Sequence, residues 1–529
     1  MEPETQQVLL DIPEQSEPTP LSPSTPEVEP SRGRAKLKPI DRSQGFFRPV
    51  VVDELVGPDH KVRAIWDLTG ELDLSGFVDK VKSQEGKKGR AAWDPRLLLS
   101  VWLYAYSEQV TSAREIERLM EYEPGLMWLA GLGEVNHHTL SDFRGDNAET
   151  LKKLLGDLLG ALSKEGYVSL ERVAHDGTKI RAQAGGDTFR REATLEKEIA
   201  KAQAAVEELE KEKEQEEQEG QGGNKRREAA RERAARERLE RMQQAAEELK
   251  KIRESKEEKE QKEARVSLSE PEARLMKHGD NAIAPSYNVQ ISTETSHLII
   301  VGMHVTQSSS DSGSLLPAME EVKATTGQYP QQAVVDGGFT NRASIVGMKE
   351  KEIDFFGSLA APEQRQAAAM KAAGIEAEFS PAHFVIIEEN KTLQCPAGKT
   401  LQYRRQSQKR DDRYHQYQAQ GSDCSRCEFQ KRCCPKHAEQ GRTVSIKVAE
   451  NADVAEFRKK METTEAKQIY KQRGAVAEFP NCWIKEKLGL RKFRLRGLAK
   501  AATEALWAVV TYDILQWARL RRQSVAVAA

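Results

Sequence analysis

The chain has 529 residues, a formal net charge of −2 at pH 7 and 31% charged residues. This length exceeds what a single hydrophobic core usually supports and predicts two to four domains. The near-neutral net charge excludes a general electrostatic attraction to nucleic acid, so any such surface has to be local. Without a recognisable signal peptide, the six cysteines indicate reduced thiols or metal ligands in a cytoplasmic protein.

The first 166 residues predict a tail followed by a helical domain. Residues 1–45 are rich in Pro, Glu, Ser and Thr and are expected to be disordered. From 46 to 166 the apolar spacing is helical, and Asp94-Pro95 before an apolar run indicates the start of a helix. This domain allows helix–turn–helix packing and is the candidate DNA-binding domain.

The period then changes to that of short strands. YVSLERVAHDG, YNVQISTE, SHLIIVGMHVT and QQAVVDGG predict strands, with a helix in DSGSLLPAMEEVKATTG before the fourth. This order predicts an α/β core from residues 167–186, 270–390 and 441–522. The first and fourth strands are expected to end at Asp176 and Asp336, each of which precedes glycine.

A charged segment, residues 187–269, interrupts this core. Residues 201–260 contain 34 charged side chains, of which 16 are basic and 18 are acidic. We interpret the segment as an antiparallel helical hairpin or coiled coil, with a frayed charged arm as the alternative.

Three acids from distant segments could share one site. A single Asp-Gly after a strand is more often only a turn, but Asp176 and Asp336 occur in the same context. The third acid, Glu478, lies in a helix-like stretch that also contains Tyr470, Arg473 and Lys485. Glu478 and Lys485 are two helical turns apart and are expected to share a face.

These motifs, in this order, resemble the DDE transposases encoded by bacterial insertion sequences. The resemblance covers most of residues 46–520 and includes HHTLSDFR, AHDGTKIRA, RLMKHGDNAIAPSYNVQ, VVDGGF and the run Y-x2-R-x4-E-x6-K. The family usually has three residues between Arg and Glu, whereas this chain has four. The resemblance implies an α/β fold with an RNase H-like mixed sheet flanked by helices, an all-α N-terminal domain and the two insertions.

The resemblance also implies the chemistry. Asp176, Asp336 and Glu478 would bind two Mg²⁺ (or Mn²⁺) ions for phosphodiester cleavage and strand transfer. Tyr470 and Arg473, together with Lys485, would contact phosphates of double-stranded DNA at the transposon ends. The expected protein is a cut-and-paste transposase that recognises terminal inverted repeats, works as a homodimer on DNA and associates with the bacterial nucleoid.

A cysteine-rich segment, residues 391–440, predicts a separate metal site. Its cysteines have zinc-ribbon-like spacing and would hold a structural Zn²⁺ through Cys395, Cys424, Cys427 and Cys433. Cys434 or His437 could replace Cys433, and free surface thiols are the alternative. The polar surroundings indicate no hydrophobic core, so the metal would have to organise the segment. Cys482 is expected to be a buried thiol.

The run KEKLGLRKFRLRGLAK contains seven basic residues and one acid, which predicts phosphate contacts. Its candidates, besides Lys485, are Arg491, Lys492, Arg494 and Arg496. In the N-terminal domain, the residues that could face DNA are Arg114, Arg118, His138, Thr139 and Arg144. The alternatives to a transposase are a catalytically silent DNA-binding protein derived from such an element and a coiled-coil scaffold. The late apolar stretch ALWAVVTYDILQWARL is broken by Asp513 and is expected to be a buried helix, not a membrane span.

Overall fold

The computed structural model describes residues 49–83, 90–219, 225–359, 362–388, 391–409, 412–449 and 451–528. The predicted disordered tail, residues 1–45, lies outside this part of the chain. The chain divides into two units, Met1–Val50 and Val51–Ala529, and the helices and strands below all belong to the second.

The N-terminal region is helical. Its helices are α1 (Lys61–Gly70), α2 (Ser75–Val78), α3 (Pro95–Ser107), α4 (Ala113–Leu119), α5 (Pro124–Ala130), α6 (His137–Asp146) and α7 (Ala148–Lys164). The predicted start of α3 is confirmed, because the Asp94 carboxylate accepts a 2.8 Å hydrogen bond from the Arg96 N–H and Pro95 is the first helical residue. Every residue from Leu97 to Tyr106 is buried, as expected of a helix that is apolar all round.

The central region contains a mixed sheet. Its elements are β1 (Arg172–Arg181), β2 (Phe189–Arg190), α8 (Glu192–Glu219), α9 (Lys225–Glu254), α10 (Glu258–Gln261), β3 (Val266–Ser267), β4 (Arg274–Lys277), β5 (Ile283–Glu294), β6 (Ile300–Thr306), α11 (Leu315–Thr326), β7 (Gln332–Val335), α12 (Arg342–Glu350) and β8 (Asp354–Gly357). The strand order is β6–β5–β1–β7–β8, with β4 also paired to β5. Strand β5 is antiparallel to β1, β4 and β6, whereas β7 is parallel to both β1 and β8. The predicted mixed α/β layout is confirmed.

The prediction that the first strand ends at Asp176 is wrong. Strand β1 continues to Arg181, and its pairing with β5 runs without a register shift from Val173 to Arg181. Gly177 is therefore a strand residue opposite Gln290 and does not form a turn. Glycine fits there because side chains from neighbouring segments approach the backbone closely at this position.

The charged insertion forms two long helices, α8 and α9. They contact each other through a thin apolar seam of Leu195, Ala202, Met242, Ala245 and Leu249. Ion pairs cross between the helices, including Arg238–Glu198 at 3.0 Å and Arg236–Glu210 at 2.9 Å, and their order along the chain shows that the helices run antiparallel. Residues 220–224 between them lie outside the described residues. The supercoiling that defines a coiled coil stays a prediction.

A second, antiparallel sheet follows the mixed sheet. The elements of this region are α13 (Pro362–Ala373), β9 (Val385–Glu388), β10 (Thr392–Gln394), β11 (Thr400–Lys409), β12 (Asp412–Gln418), α14 (Gly421–Ser425), α15 (Gln430–Cys433) and β13 (Thr443–Ala449). The strand order is β13–β12–β11–β10–β9. The expectation that this segment has no core of its own is wrong, because a separate buried cluster forms from Phe384, Leu393, Leu401, Tyr417, Ala419 and Val444.

The last described range, residues 451–528, contains the helices α16 (Ala452–Met461), α17 (Thr464–Lys471), α18 (Arg473–Glu486) and α19 (Leu498–Ala528). Helix α19 is the predicted buried helix, and its Trp507 and Trp517 belong to the largest core cluster. That cluster also contains residues of α3, α7 and the mixed sheet, so the N-terminal helices and the sheet share one core. Within the described residues, no helix combines the length and apolarity needed to cross a membrane.

Candidate active site

The mixed sheet brings Asp176 and Asp336 side by side. Strands β1 and β7 are parallel neighbours, and His175 of β1 lies opposite Val335 of β7. Asp176 directly follows His175, and Asp336 directly follows Val335. Adjacent strands lie about 4.8 Å apart, which places the two acids next to each other. Asp176 Oδ1 accepts a 2.9 Å hydrogen bond from the Gly177 N–H, and Asp336 Oδ1 accepts one of 2.7 Å from the Gly338 N–H.

The environment of Asp176 includes the charge of its neighbour Asp336. Burial raises the pKa of Asp176 to about 6, and the negative charge of Asp336 contributes to this rise. The Gly177 N–H, the Arg473 guanidinium and the Asn481 amide act in the opposite direction, because each stabilises the carboxylate. Asp176 therefore faces the Arg473 guanidinium and the Asn481 amide of α18.

Helix α18 supplies the third element of the site. Glu478, Asn481 and Lys485 are spaced three and four residues apart, so they share one face of this helix. Asn481 Nδ2 donates a 3.1 Å hydrogen bond to Asp176 Oδ2, while Glu478 is exposed to solvent. Lys485 is half-buried, and its pKa is lowered by burial and by the nearby charge of Arg491, whereas the charge of Asp176 raises it.

The stretch from Tyr470 to Lys485 is not one continuous helix. Tyr470 lies near the end of α17, and Arg473 is the first residue of α18. Tyr470 is half-buried and packs against the small apolar cluster of Val334 and Phe356. The helix-like stretch is therefore divided at Gln472 into two helices.

The donor set at this site suits a hard divalent cation. Asp176 and Asp336 provide carboxylate oxygens, and the buried Asn481 Oδ1 has no hydrogen-bond partner among the described residues. Carboxylate and amide oxygens are the ligands that Mg²⁺ and Ca²⁺ prefer. Within the same described ranges, however, no group of three or more His, Cys, Asp or Glu side chains lies close enough to hold a metal ion. Glu478 therefore does not complete a three-carboxylate cluster with the two aspartates.

The predicted zinc ligands line a shared cavity in the second sheet region. Cys395, Cys424, Cys427 and Cys433 surround a space of about 30 Å³, together with Cys434. Cys395 Sγ accepts a 3.3 Å hydrogen bond from the Lys399 N–H, and Cys424 Sγ accepts one of 3.2 Å from the Arg442 N–H.

The thiols nevertheless do not form a metal-binding cluster in the part of the chain that the structure describes. Burial raises the pKa of Cys433 to about 11 and also raises the pKa values of Cys424 and Cys434, so that burial alone favours the protonated thiols. His437 is exposed, whereas Cys433 and Cys434 both line the cavity.

Most of the other candidate DNA contacts are accessible. The exposed side chains are Arg114, Arg118, His138, Arg491, Lys492, Arg494 and Arg496, and Thr139 is half-buried. Arg144 cannot face DNA, because it is only 3% exposed and donates a 2.8 Å hydrogen bond to the Thr111 carbonyl. Its guanidinium also lies 3.8 Å from the buried carboxylate of Glu504. The prediction of a buried Cys482 is wrong as well, since this thiol is exposed.

A buried polar network behind Asp176 escaped the sequence analysis. Asp311 Oδ1 accepts hydrogen bonds from Asn288 Nδ2 at 2.7 Å and from Gln290 Nε2 at 2.9 Å. The His175 ring is hydrogen-bonded to Gln290 Oε1 and to Ser292 Oγ, both at 2.9 Å. Burial lowers the pKa of His175 to about 3, so the ring is neutral. The signal in the sequence was the alternation of polar residues at 288, 290 and 292 in a strand that is buried throughout this stretch.

This network also reaches the loop that follows Asp336. The His175 ring contacts the Phe339 ring edge-on, with 4.9 Å between their centroids. The Asn341 amide donates a 2.5 Å hydrogen bond to the carbonyl of Ser312, one residue after Asp311. The backbone segments that carry Asp176 and Asp336 are thus supported by one connected set of side chains.

Two family models match the chain. A model described as "Transposase domain (DUF772)" matches residues 50–146, which correspond to most of the N-terminal helices. A model described as "Transposase DDE domain" matches residues 394–517, which include Glu478 and Lys485. Neither a curated protein nor a solved structure matches significantly. The two transposase models, matched in this order around the mixed sheet, indicate an insertion-sequence DDE transposase.

Proposed function

We propose that this chain is a DDE transposase that binds the terminal inverted repeats of its own element and moves it by cut-and-paste cleavage and strand transfer. The observation that carries the proposal is the placement of Asp176 in β1 beside Asp336, which directly follows the parallel strand β7, with Asn481 of α18 hydrogen-bonded to Asp176. The mixed sheet, with helices α11, α12 and α18 around it, supports an RNase H-like catalytic core.

In this proposal Asp176, Asp336 and Glu478 bind two Mg²⁺ (or Mn²⁺) ions. The cations would activate a water molecule or a DNA 3′-hydroxyl as the nucleophile and would stabilise the leaving oxygen. The protein's own part is to hold Asp176 through the Gly177 N–H and the Asn481 amide, while Arg473 and Lys485 place positive charge beside it. Glu478 lies one helical turn before Asn481, and we expect bound DNA and metal to draw its exposed side chain towards the aspartates.

The test is donor cleavage and strand transfer on an oligonucleotide that carries the repeat end. Asp176→Asn, Asp336→Asn and Glu478→Gln should each lower the rate by at least a hundredfold, with the protein still folded and DNA still bound. Asp79→Asn is the matched control, because it changes an exposed aspartate of the N-terminal region outside the candidate site, and it should keep full activity. Full activity in any of the three site variants would overturn the assignment.

The same assays separate this proposal from the two alternative functions. A catalytically silent DNA-binding protein would bind repeat ends but show no Mg²⁺-dependent nicking in the wild-type chain. A scaffold built on α8 and α9 would lose its function on deletion of residues 190–268 and keep it in the three site variants. The presence of both aspartates at the sheet favours the transposase.

DNA is proposed to follow the basic segment after α18. Lys485 lies in the last turn of α18, the helix that contacts Asp176, and the exposed Arg491, Lys492, Arg494 and Arg496 follow that helix. Neutralised phosphates release counterions, so the salt dependence of binding measures these contacts. Tyr470 and Arg473 would contact phosphate at the transposon end, and two such ends would be held by a homodimer on DNA.

A structural zinc ion is proposed for the cysteine cavity. The observation that favours it is the convergence of Cys395, Cys424, Cys427 and Cys433 on one small space, with backbone N–H groups donating to two of the sulfurs. Elemental analysis of the purified chain should give one zinc per protein, and Cys424→Ser with Cys427→Ser should remove it. Cys482→Ser alters an exposed cysteine outside the cavity and should retain the zinc. A metal-free wild-type protein with an intact second sheet would contradict the proposal.

A further inference from the structure

The side chain of Asn481 has one amide atom that hydrogen bonds within the protein do not satisfy. Its Nδ2 donates to Asp176 Oδ2 at 3.1 Å and to the carbonyl of Ala477 at 3.3 Å. Asn481 is only 7% exposed, and its Oδ1 is buried without a partner among the described residues. Leaving a buried acceptor unpaired costs about 1–3 kcal/mol, and the great majority of buried polar atoms have partners.

The surroundings of this oxygen identify the kind of partner that it lacks. An amide oxygen only accepts, so its partner must be a hydrogen-bond donor or a cation. The side chain to which Asn481 is hydrogen-bonded is the carboxylate of Asp176, and Asp336 directly follows the neighbouring parallel strand. Two adjacent carboxylates attract a cation, and an amide oxygen is a regular ligand of hard divalent ions.

Asn481 and Glu478, the predicted third acid, lie on the same face of α18. Asn481 follows Glu478 by one turn on the same face of α18, and it is Asn481 that reaches Asp176. The amide also holds the orientation of the Asp176 carboxylate, because its N–H group is bound to one carboxylate oxygen.

We propose that Asn481 Oδ1 is an additional oxygen ligand of the divalent cation that Asp176 and Asp336 bind. This inference rests on the proposed function, because it assumes the cation site at the two aspartates. It adds to that function a neutral ligand beside the acids, contributed by the helix that carries Glu478. Asn481 then has two roles, since its amide nitrogen positions Asp176 and its amide oxygen contacts the metal.

The experiment is a Mn²⁺ titration of the full-length, DNA-free protein, followed by electron paramagnetic resonance of the free ion. Asn481→Leu keeps the approximate size of the side chain and removes the oxygen, so Mn²⁺ affinity should fall by about tenfold or more. Asn481→Asp keeps an oxygen at this position and adds charge, so its affinity should equal or exceed that of the wild type. Cys482→Ser, at the next position of α18, is the control and should bind as the wild type does.

The outcomes separate ligation from positioning. A pure positioning role through the N–H group predicts that Asn481→Asp loses affinity as much as Asn481→Leu, and this result would overturn the inference. Wild-type affinity in Asn481→Leu would overturn it too. If Asn481→Leu melts at a lower temperature without metal, Asn481→Ser replaces it as the test, because it shortens the side chain without inserting apolar bulk beside Asp176.

Asp176→Asn distinguishes failure of the inference from failure of the proposed function. If Asp176→Asn abolishes Mn²⁺ binding while Asn481→Leu does not, only the role of Asn481 is refuted. If Asp176→Asn also binds Mn²⁺ like the wild type, the two aspartates do not form the cation site and the proposed metal chemistry fails with it.

Discussion

Replacing Gly177 by alanine should damage both the stability of the mixed sheet and DNA cleavage. A Cβ atom at this position would lie 2.5 Å from Gln290 Nε2 and 2.6 Å from Asp311 Oδ1. These two atoms are hydrogen-bonded to each other at 2.9 Å, and Gln290 is also bound to the buried ring of His175. Neither side chain can move without breaking a bond of the network, so the strand itself must shift.

The size of the effect follows from these contacts. Adding a methyl group to a packed interior costs about 1–3 kcal/mol. Breaking the hydrogen bond between Gln290 and the charged Asp311 adds about 1.5–3 kcal/mol. A total of roughly 2.5–6 kcal/mol should appear as a clear loss of thermal stability. Because the Gly177 N–H holds Asp176, a shift of about 1 Å in the strand should slow cleavage by about a hundredfold.

The assay pairs differential scanning fluorimetry with the donor-cleavage reaction. Gly160→Ala is the matched control, since Gly160 is exposed in α7 and, apart from its chain neighbours and the nearby backbone of its own helix, no described heavy atom lies within 4 Å of its added Cβ. Alanine in a helix is favoured over glycine by about 1 kcal/mol, so the control should melt at the same or a higher temperature. A Gly177→Ala protein that melts and cleaves like the wild type would refute the proposed support of Asp176 by this network.

Three further predictions concern buried charges and the DNA surface. Burial holds the pKa of Asp513 in the folded protein well above 3.8, so the folded state favours the protonated acid. Above about pH 4 this acid ionises in the unfolded chain, and the free energy of unfolding of the wild type falls by about 1.4 kcal/mol per pH unit up to the folded pKa. Asp513→Asn cannot ionise, so it should melt like the wild type below about pH 4 and become relatively more stable above that pH. The Asn oxygen can still accept the 2.9 Å hydrogen bond from the Ile300 N–H, and a parallel pH dependence of both proteins would contradict this reasoning. Arg144→Met leaves the Glu504 carboxylate buried without its cation and should destabilise the protein by about 3–5 kcal/mol in thermal melts, whereas an unchanged melt with weaker DNA binding would restore a DNA-facing role. Arg496→Gln should weaken binding of repeat and non-repeat DNA alike and lower the salt slope by about one, and a loss confined to repeat DNA would argue against a phosphate contact.

The order of strands and helices could be predicted because it depends on local spacing of apolar residues. Alternation along YNVQISTE and the helical period of DSGSLLPAMEEVKATTG both predict elements that the structure contains. The end of the first strand could not be predicted in this way. Asp176-Gly177 has the composition of a turn, and only pairing with the long strand β5 keeps this dipeptide extended.

Side-chain environments were the least predictable part, because their partners are distant in sequence. In the sequence Arg144 resembles a surface residue, but in the structure it is buried beside Glu504 of α19. The core of the second sheet was missed because β11 and β12 contain mostly polar residues. Their inward positions, such as Leu401 and Tyr417, are few but buried. Asn481 had no local signal except its place on the face of Glu478, since its contact is with a strand more than 300 residues earlier.

The long charged insertion is compatible with an intact site because its two ends meet. Strands β2 and β3 pair Phe189 with Ser267 and Arg190 with Val266, so the chain leaves and re-enters the core at one place. The residue that fixes this place is Glu270, which is only 1% exposed.

Glu270 accepts hydrogen bonds from three separate segments. Its carboxylate binds the Ala184 N–H at 3.0 Å, the Tyr287 hydroxyl at 2.9 Å and the Gly497 N–H at 3.1 Å. These bonds join the segment after β1, strand β5 and the segment that leads into α19. A few residues before Gly497, the Phe493 N–H donates a 2.9 Å hydrogen bond to the carbonyl of Arg181 at the end of β1. The segment that follows α18 is therefore attached to the strand that carries Asp176, and this attachment holds Asn481 and Asp176 together across the intervening insertion.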